Sequence, residues 1–240
     1  MLRRFLSVAD ANRALRSLRK LGHHDIHGWA LTGGLAVEVH RLRRGCQPSL
    51  RALNDIDFIA ESFDGIPETL GDDFLFRHIH PCDPPNRTML QLVDAEGKLR
   101  IDVFRSYGHA MCRTSNLDLS GCMIRLISLE DLTARTARLA LDLAGGVPTP
   151  SKHATDFLRL VELVDPLEVE TAWLDHRKPE HPLTFKEATD LLHYLISARQ
   201  DLLTTPDYSK DAEDVCLRCQ SIRAFRLADP KVILSILGYC

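Results

Sequence analysis

The sequence of 240 residues holds no run of about 18–20 uncharged apolar residues, the length a helix needs to cross a bilayer, so no membrane span is expected. It also lacks an excess of basic charge. Thirty Lys and Arg stand against 33 Asp and Glu, for a net charge of −3, which argues against a surface coated for non-specific nucleic-acid binding but leaves room for a local basic patch. No signal-peptide core is legible near the start, where Arg3, Arg4, Asp10, Arg13 and Arg16 interrupt the apolar residues. The seven cysteines, at positions 46, 82, 112, 122, 216, 219 and 240, are odd in number and scattered. A disulfide framework is therefore not expected, and a reducing cytoplasm is the simplest setting. There is no internal repeat and no low-complexity tract. What remains, 45% hydrophobic and 26% charged, is an ordinary globular composition, long enough for one large domain or two small ones.

The pattern of apolar residues gives the outline of a fold. Leu2, Phe5, Leu6, Ala9, Ala14, Leu15, Leu18 and Leu21 recur near helical spacing and predict an amphipathic first helix. Trp29-Ala30-Leu31 reads as a buried strand entering Thr32-Gly33-Gly34, and Leu35 to Leu42 continues as a helix. Asp55-Ile56-Asp57-Phe58-Ile59 alternates with period two, as a strand does. Further strands are expected at Phe74 to Ile79, Met89 to Val93 and Leu99 to Phe104. Pro81 to Pro85 separates the first pair; Asp94-Ala95-Glu96-Gly97 separates the second, its glycine marking a hairpin turn. Beyond residue 125 the pattern turns helical. Ser128 with Asp131 resembles a capping box, and the helix it opens should run to about Ala144, before Gly145-Gly146 and Pro148. Helices are also expected at Lys152 to Val164, Leu167 to Leu174, Phe185 to Leu203, Asp211 to Cys219 and Lys231 to Leu237. The expected class is α+β: residues 1–125 form a mixed β-sheet domain with flanking helices, and residues 126–240 a helical C-terminal domain.

Three aspartates carry the chemistry. On a strand, Asp55 and Asp57 share a face, while Ile56 and Phe58 turn the other way and anchor the strand in the core. Asp102 repeats the arrangement between Ile101 and Val103 on another expected strand. Three carboxylates brought together would repel and raise one another's pKa values; a hard divalent cation such as Mg²⁺, with oxygen ligands, removes that conflict. An isolated Asp-x-Asp is commonly just a solvated strand end. Gly33-Gly34 likewise has two readings: tight packing of a turn, or backbone N–H groups free to approach a phosphate at a helix N-terminus. The order of the parts (strand, glycine turn, helix, Asp-x-Asp strand, one more strand aspartate) favours the functional reading of both.

Leu31-Thr32-Gly33-Gly34 followed by Asn54-Asp55-Ile56-Asp57-Phe58 resembles the signature of the nucleotidyltransferase superfamily, the polymerase-beta-like fold, and Leu99-Arg100-Ile101-Asp102-Val103 resembles the strand that supplies its third carboxylate. The likeness covers roughly residues 27–105. Within the superfamily the chain is most similar to the abortive-infection nucleotidyltransferases of type IV toxin–antitoxin systems. That likeness rests on Arg51 four residues before Asp55, on Leu129-Glu130-Asp131-Leu132, and on Lys152-His153-Ala154-Thr155-Asp156-Phe157. The chain departs from the subgroup at Leu53, at His153, and at Arg135 and Thr136, where a lysine is usual. The resemblance implies a nucleotidyltransferase-like sheet and a metal-dependent transfer of a nucleoside monophosphate from a nucleoside triphosphate to a hydroxyl, with release of pyrophosphate. Asp55, Asp57 and Asp102 would be the catalytic metal ligands for Mg²⁺, with Mn²⁺ as the alternative. Thr32, Gly33, Gly34, Arg51, Lys152 and Asp156 would bind the nucleotide. The acceptor stays open between RNA, a protein and a small molecule of the aminoglycoside kind; an antitoxin protein is the partner the toxin subgroup implies. A non-catalytic module that binds nucleotide or a partner protein is the reading from another class, and three converging carboxylates weigh against it.

Other clusters have plainer explanations. Cys216 and Cys219 supply half of a zinc site and no second pair completes it. His23, His24 and His27, and His78, His80 and Cys82, are accounted for as surface residues. Arg41, Arg43 and Arg44 suit a helix C-terminus, with contact to a polyanionic acceptor as the sharper alternative.

Overall fold

The computed structural model describes residues 1–63, 66–67, 69–77, 89–147, 152–203 and 227–228. Leu2–Arg4 form a 3-10 turn, after which Ser7 caps helix α1 (Val8–Leu21) by accepting from the Asp10 amide at 3.1 Å. The single helix expected from Leu2 onward is thus broken at Phe5–Ser7, where a serine offers its oxygen to the first-turn amides. Strand β1 (Trp29–Thr32) is buried throughout and runs into α2 (Gly33–Arg43), which starts two residues before the expected Leu35. Then come β2 (Asp55–Ala60), one helical turn α3 (Leu70–Asp73), β3 (Leu75–Arg77), β4 (Met89–Asp94) and β5 (Leu99–Arg105). The turn between β4 and β5 is a correction of detail: Lys98, at φ 47°, takes the left-handed conformation, not Gly97. Gly97 is needed for space, since a Cβ there would lie 2.7 Å from Asp94 Oδ2.

Two strands were not legible in the pattern, β6 (Ser115–Asp118) and β7 (Met123–Leu126). Each has only four residues, and on β7 the exposed Met123 breaks the alternation, so neither carries a strong alternating signal. A tight turn joins them, with Gly121 at φ 87° and its amide donating to Asp118 Oδ1 at 2.6 Å. Strand β7 pairs in parallel with β1 and so crosses residue 125.

With the two-residue strand β8 (Leu227–Ala228), the described strands form one mixed sheet in the order β6-β7-β1-β2-β5-β4-β3-β8. The central pair β2–β5 is parallel, flanked by antiparallel β1–β2 and β4–β5. The helical part follows: α4 (Leu129–Ala144), α5 (Lys152–Val161), α6 (Pro166–His176) and α7 (Phe185–Ala198). Helix α5 ends before the expected Val164, and the stretch expected as helix to Leu203 closes in a 3-10 turn at Gln200–Leu203. Asp165 caps α6 with Pro166 at its first position, and Thr184 with Glu187 forms a full capping box on α7. The α+β class, with helices flanking a mixed sheet and a helical segment after it, is as expected. The helices expected at Asp211–Cys219 and Lys231–Leu237, with Cys216, Cys219, His78, His80 and Cys82, lie outside the described residues.

Two hydrophobic clusters fill this frame. One packs α1 and α2 on the sheet around Phe58, Ile56, Ile101 and Val103; the other gathers Trp173, Phe157, Phe185 and Leu192 among α4–α7. Ile56, Phe58, Ile101 and Val103 are fully buried. Burying each of them contributes on the order of 1.5–3 kcal/mol. It also turns the alternate residues Asp55, Asp57 and Asp102 to the opposite face.

Candidate active site

Strand register assembles the site. Thr32 on β1 stands opposite Asp57 on β2, Asp57 beside Asp102 on β5, and Asp102 opposite Gln91 on β4, so four polar residues cross the sheet in one row. One step along, Asp55 stands beside Arg100. Neighbouring residues in such a row project to the same face about 5 Å apart. Asp55, Asp57 and Asp102 thereby offer carboxylate oxygens within 4.8 Å of one another.

The three carboxylates differ in their surroundings. Gln91 Nε2 donates to Asp102 Oδ1 at 2.6 Å and orients it. Arg100 donates to Asp55, and its Nε stands 3.1 Å from Asp102 Oδ2, at ion-pair distance though not aligned as a hydrogen bond. Among the described residues no arginine or lysine stands at ion-pair distance from Asp57. Desolvation, with Asp55 as the next contributor, pushes its carboxyl up to about 7. Among the described residues, one guanidinium stands against three carboxylates, and that donor set, all hard oxygens, fits a divalent cation such as Mg²⁺ or Mn²⁺.

The glycine turn closes against this row. Gly33, at φ 64°, leaves no room for a side chain: a Cβ would lie 1.9 Å from Asp57 Oδ2. Both reasons for a glycine apply together, backbone conformation and close approach. The N-terminus of α2, without an acidic residue in its first turn, therefore abuts the acidic row. Thr32 is fully buried and its hydroxyl has no hydrogen-bond partner among the described residues.

A cleft of about 320 Å³ opens above, between the sheet and the helical part. Its far wall carries two cations, Arg135 on α4 and Lys152 at the start of α5, with His153 beside them, opposite Asp55, Asp57 and Asp102. Arg135 lies over the Phe104 ring at 4.9 Å, and its Nη1 is buried without a hydrogen-bond partner among the described residues. Burial lowers its pKa, opposed by the pull of Asp57. His153 is held well below its ordinary pKa by burial and by Lys152, Arg135, Arg51 and Arg138, and so is neutral. Acid on one wall and base on the other is the polarity a cation-bound polyphosphate needs.

Asp156 lines the cleft as well, and it and Arg51, both expected at the nucleotide, are engaged in ion pairs. Arg51 pairs with Glu38 of α2 at 3.2 Å and with Asp156 of α5 at 2.8 Å; Arg159 completes a ring with Glu38 at 2.6 Å and Asp156 at 3.5 Å. The ring joins the sheet side to the helical side behind the glycine turn. Arg51 also packs on Gly34, where a Cβ would meet its Nε at 3.0 Å. Arg100, Gln91 and the base of the ring, Glu38, were not anticipated. Arg100 was findable, being two residues before Asp102 on an alternating strand. The His24 imidazole is held between Thr69 Oγ1 and Asp73 Oδ2, and Arg41 and Arg43 reach the carbonyls of Arg159 and Asn116. His24 is thus a largely buried side chain and not the surface residue expected, and Arg41 and Arg43 reach other elements and not the end of their own helix. Among the described residues no helix is long and apolar enough to cross a membrane.

No protein-family model matches the chain, and no curated protein matches it. Among solved structures it is similar to an antigenic nucleotidyltransferase-like protein from Paracoccidioides brasiliensis, at 16% identity over 83% of this chain and 94% of that one, with a TM-score of 0.45. It is similar also to a putative nucleotidyltransferase from H. pylori (15% identity, 81% of this chain, 95% of that one, TM-score 0.33) and to the Megavirus polyadenylate synthase (11% identity, 80% of this chain, 42% of that one, TM-score 0.40). At such identities and scores the function has to be argued from the cleft itself.

Proposed function

We propose that the cleft is the active site of a nucleotidyltransferase that moves a nucleoside monophosphate from a nucleoside triphosphate to a hydroxyl acceptor and releases pyrophosphate. The observation that carries this reading is the convergence of Asp55, Asp57 and Asp102 within 4.8 Å, beside a glycine turn that opens a helix and across a cleft from Arg135 and Lys152. In this reading residues 1–125 are the catalytic part and residues 126–240 the helical part that supplies the cationic wall.

Asp55, Asp57 and Asp102 would hold Mg²⁺ or Mn²⁺, which when bound supplies positive charge for the triphosphate and for the charge that develops on the transferred phosphoryl group. The chain's own contributions follow from position. The first amides of α2, at Gly33 and Gly34, and the helix dipole behind them favour phosphate oxygens. The Thr32 hydroxyl, buried without a partner among the described residues, is a donor for one of those oxygens. Arg135 and Lys152 add charge from the opposite wall. Gln91 fixes Asp102, the carboxylate assigned to the acceptor hydroxyl and its proton. The acceptor oxygen bonds to the α-phosphorus as the bond to the pyrophosphate oxygen breaks. Arg51 and Asp156 hold the two walls in register through the ring.

The toxin-like variant, with RNA or protein as acceptor and an antitoxin as partner, draws support only from the three motifs of that resemblance. Two of those, at Arg51 and at Asp156, are occupied in the ring. A small-molecule acceptor is equally compatible with the open cleft. One assay addresses both questions: each labelled triphosphate with Mg²⁺, offered total RNA, lysate protein and polyhydroxylated small molecules in turn. Label should enter one acceptor class, and Asp57→Ala should cut that transfer at least about a hundredfold while the melting temperature holds. Undiminished transfer by Asp57→Ala, or no transfer by the unmodified protein from any triphosphate, would sink the reading.

A further inference from the structure

Asp55, Asp57, Arg100 and Asp102 form a square on the parallel pair β2–β5, three acids and one base on a single face. The base is not placed at random within it. The Arg100 guanidinium bonds Asp55 and stands 3.1 Å from Asp102, so it touches two of the three carboxylates that a cation would use. It is a cleft-lining side chain, not one sealed beneath the sheet.

We propose that Arg100 is a resident counter-cation of the acidic site, so that a divalent cation enters by exchange with its guanidinium; this rests on the metal reading of the site given above. Two cations cannot share the same carboxylate edges without repelling at short range. Either the guanidinium or the metal holds Asp55 and Asp102. Arginine suits the role because its charge persists at every working pH and its fork spans two carboxylates. Its long side chain lines the cleft. The Nε contact to Asp102, at 3.1 Å, is at ion-pair distance without the alignment of a hydrogen bond, so that contact is Coulombic. The arrangement keeps the metal-free site from flying apart, sets a threshold concentration for cation entry, and releases a positive charge into the cleft when the cation arrives. Cation occupancy and affinity for an anionic nucleotide are then coupled through one side chain.

The test is a Mn²⁺ titration followed by electron paramagnetic resonance and calorimetry, without nucleotide, on the unmodified protein, Arg100→Gln and Arg100→Lys. Removing the competing charge should tighten Mn²⁺ binding about tenfold or more in Arg100→Gln, with Arg100→Lys in between. Without metal, Arg100→Gln should melt below the unmodified protein, and saturating Mn²⁺ should close the gap. Equal affinity in all three would overturn the exchange while leaving the metal site standing; weaker binding in Arg100→Gln would make the arginine a support of the site and overturn it too. Absence of Mn²⁺ binding from the unmodified protein and from both variants would overturn the metal reading and the exchange with it. If Arg100→Gln does not fold, the lysine variant carries the same decision: tighter binding supports the exchange, equal or weaker binding ends it.

Discussion

Carboxylates meet arginines in two places near the cleft, and the two are built differently. In the ring behind the glycine turn, Glu38 and Asp156 face Arg51 and Arg159, two acids and two bases from α2, the following loop and α5. On the sheet, Asp55 and Asp102 pair with Arg100, and among the described residues no arginine or lysine stands at ion-pair distance from Asp57. In the ring, acids and bases are equal in number. On the sheet, three carboxylates stand around one guanidinium among the described residues, which leaves room there for a cation. Local charge balance thus separates a joint from a site, where a bare count of ionisable residues would treat them alike. A third cluster sets one base, Arg113, against two acids, Asp131 and Asp175, and there hydrogen bonds from Ser128 and His176 to Asp131 and from the His109 amide to Asp175 support the carboxylates.

The ring gives the largest effect on stability. Glu38 is fully buried, and Glu38→Gln would leave Arg51 and Arg159 facing a single carboxylate. Removing one partner of a buried pair costs about 3–5 kcal/mol. For a chain of this length the melting temperature should fall by roughly 10 °C. At a temperature where the variant is still folded, nucleotidyl transfer should survive. Lost transfer with an unchanged melting curve would move Glu38 from the joint into the site and erase the contrast.

A pH titration sharpens it, because the signs are opposite. Asp131 is held well below the usual carboxylate range; burial opposes this, but the hydrogen bonds from Arg113, His176 and Ser128 outweigh it. Its stabilisation is full above about pH 4, the unfolded value, and is lost as the pH falls toward its folded pKa. Asp57 is raised to about 7, chiefly by desolvation. Its folded form therefore prefers the proton: stability is full below about pH 4 and falls as the pH rises to about 7. Without metal, Asp57→Asn should gain about 2 kcal/mol at pH 8 and nothing near pH 4, after discounting for the open side of the cleft. Urea melts of both proteins across that range measure it. A variant less stable than its parent at pH 8 would mean that the Asp57 charge is already compensated.

The parts legible in the sequence were those that sequence spacing controls. Period-two alternation put Asp55 and Asp57 on one face and Asp102 on a like face of its own strand, and the Gly33-Gly34 turn announced itself by composition. What escaped depends on register between strands and on contacts across the chain. Nothing in the linear order says that Asp57 pairs with Asp102 and Asp102 with Gln91; only the sheet fixes those neighbours. Gln91 sits between Leu90 and Leu92, all three buried, so alternation could not tell which side it faced. Arg51 looked like a nucleotide ligand because its natural partners, Glu38 and Asp156, are separated from each other by more than a hundred residues. The subgroup likeness at these positions was real as a pattern, but a pattern does not say what an arginine touches.

Gln91 offers the smallest and most discriminating change. Its amide gives Asp102 one hydrogen bond of 2.6 Å from a buried position in the row. Gln91→Leu keeps the volume and the burial and removes that bond, so stability should move by about 1 kcal/mol or less, the apolar gain offsetting the lost interaction. Asp102 would then lose one of the contacts that orient it, and the turnover number should drop by about three- to tenfold with little change in KM, since the loss lies in orientation and not in binding the triphosphate. A rise in KM without a fall in turnover would mean that Gln91 serves the nucleotide directly. Equal rates in variant and parent would mean that strand geometry alone aims the third carboxylate, and that the row needs its register but not its fourth member.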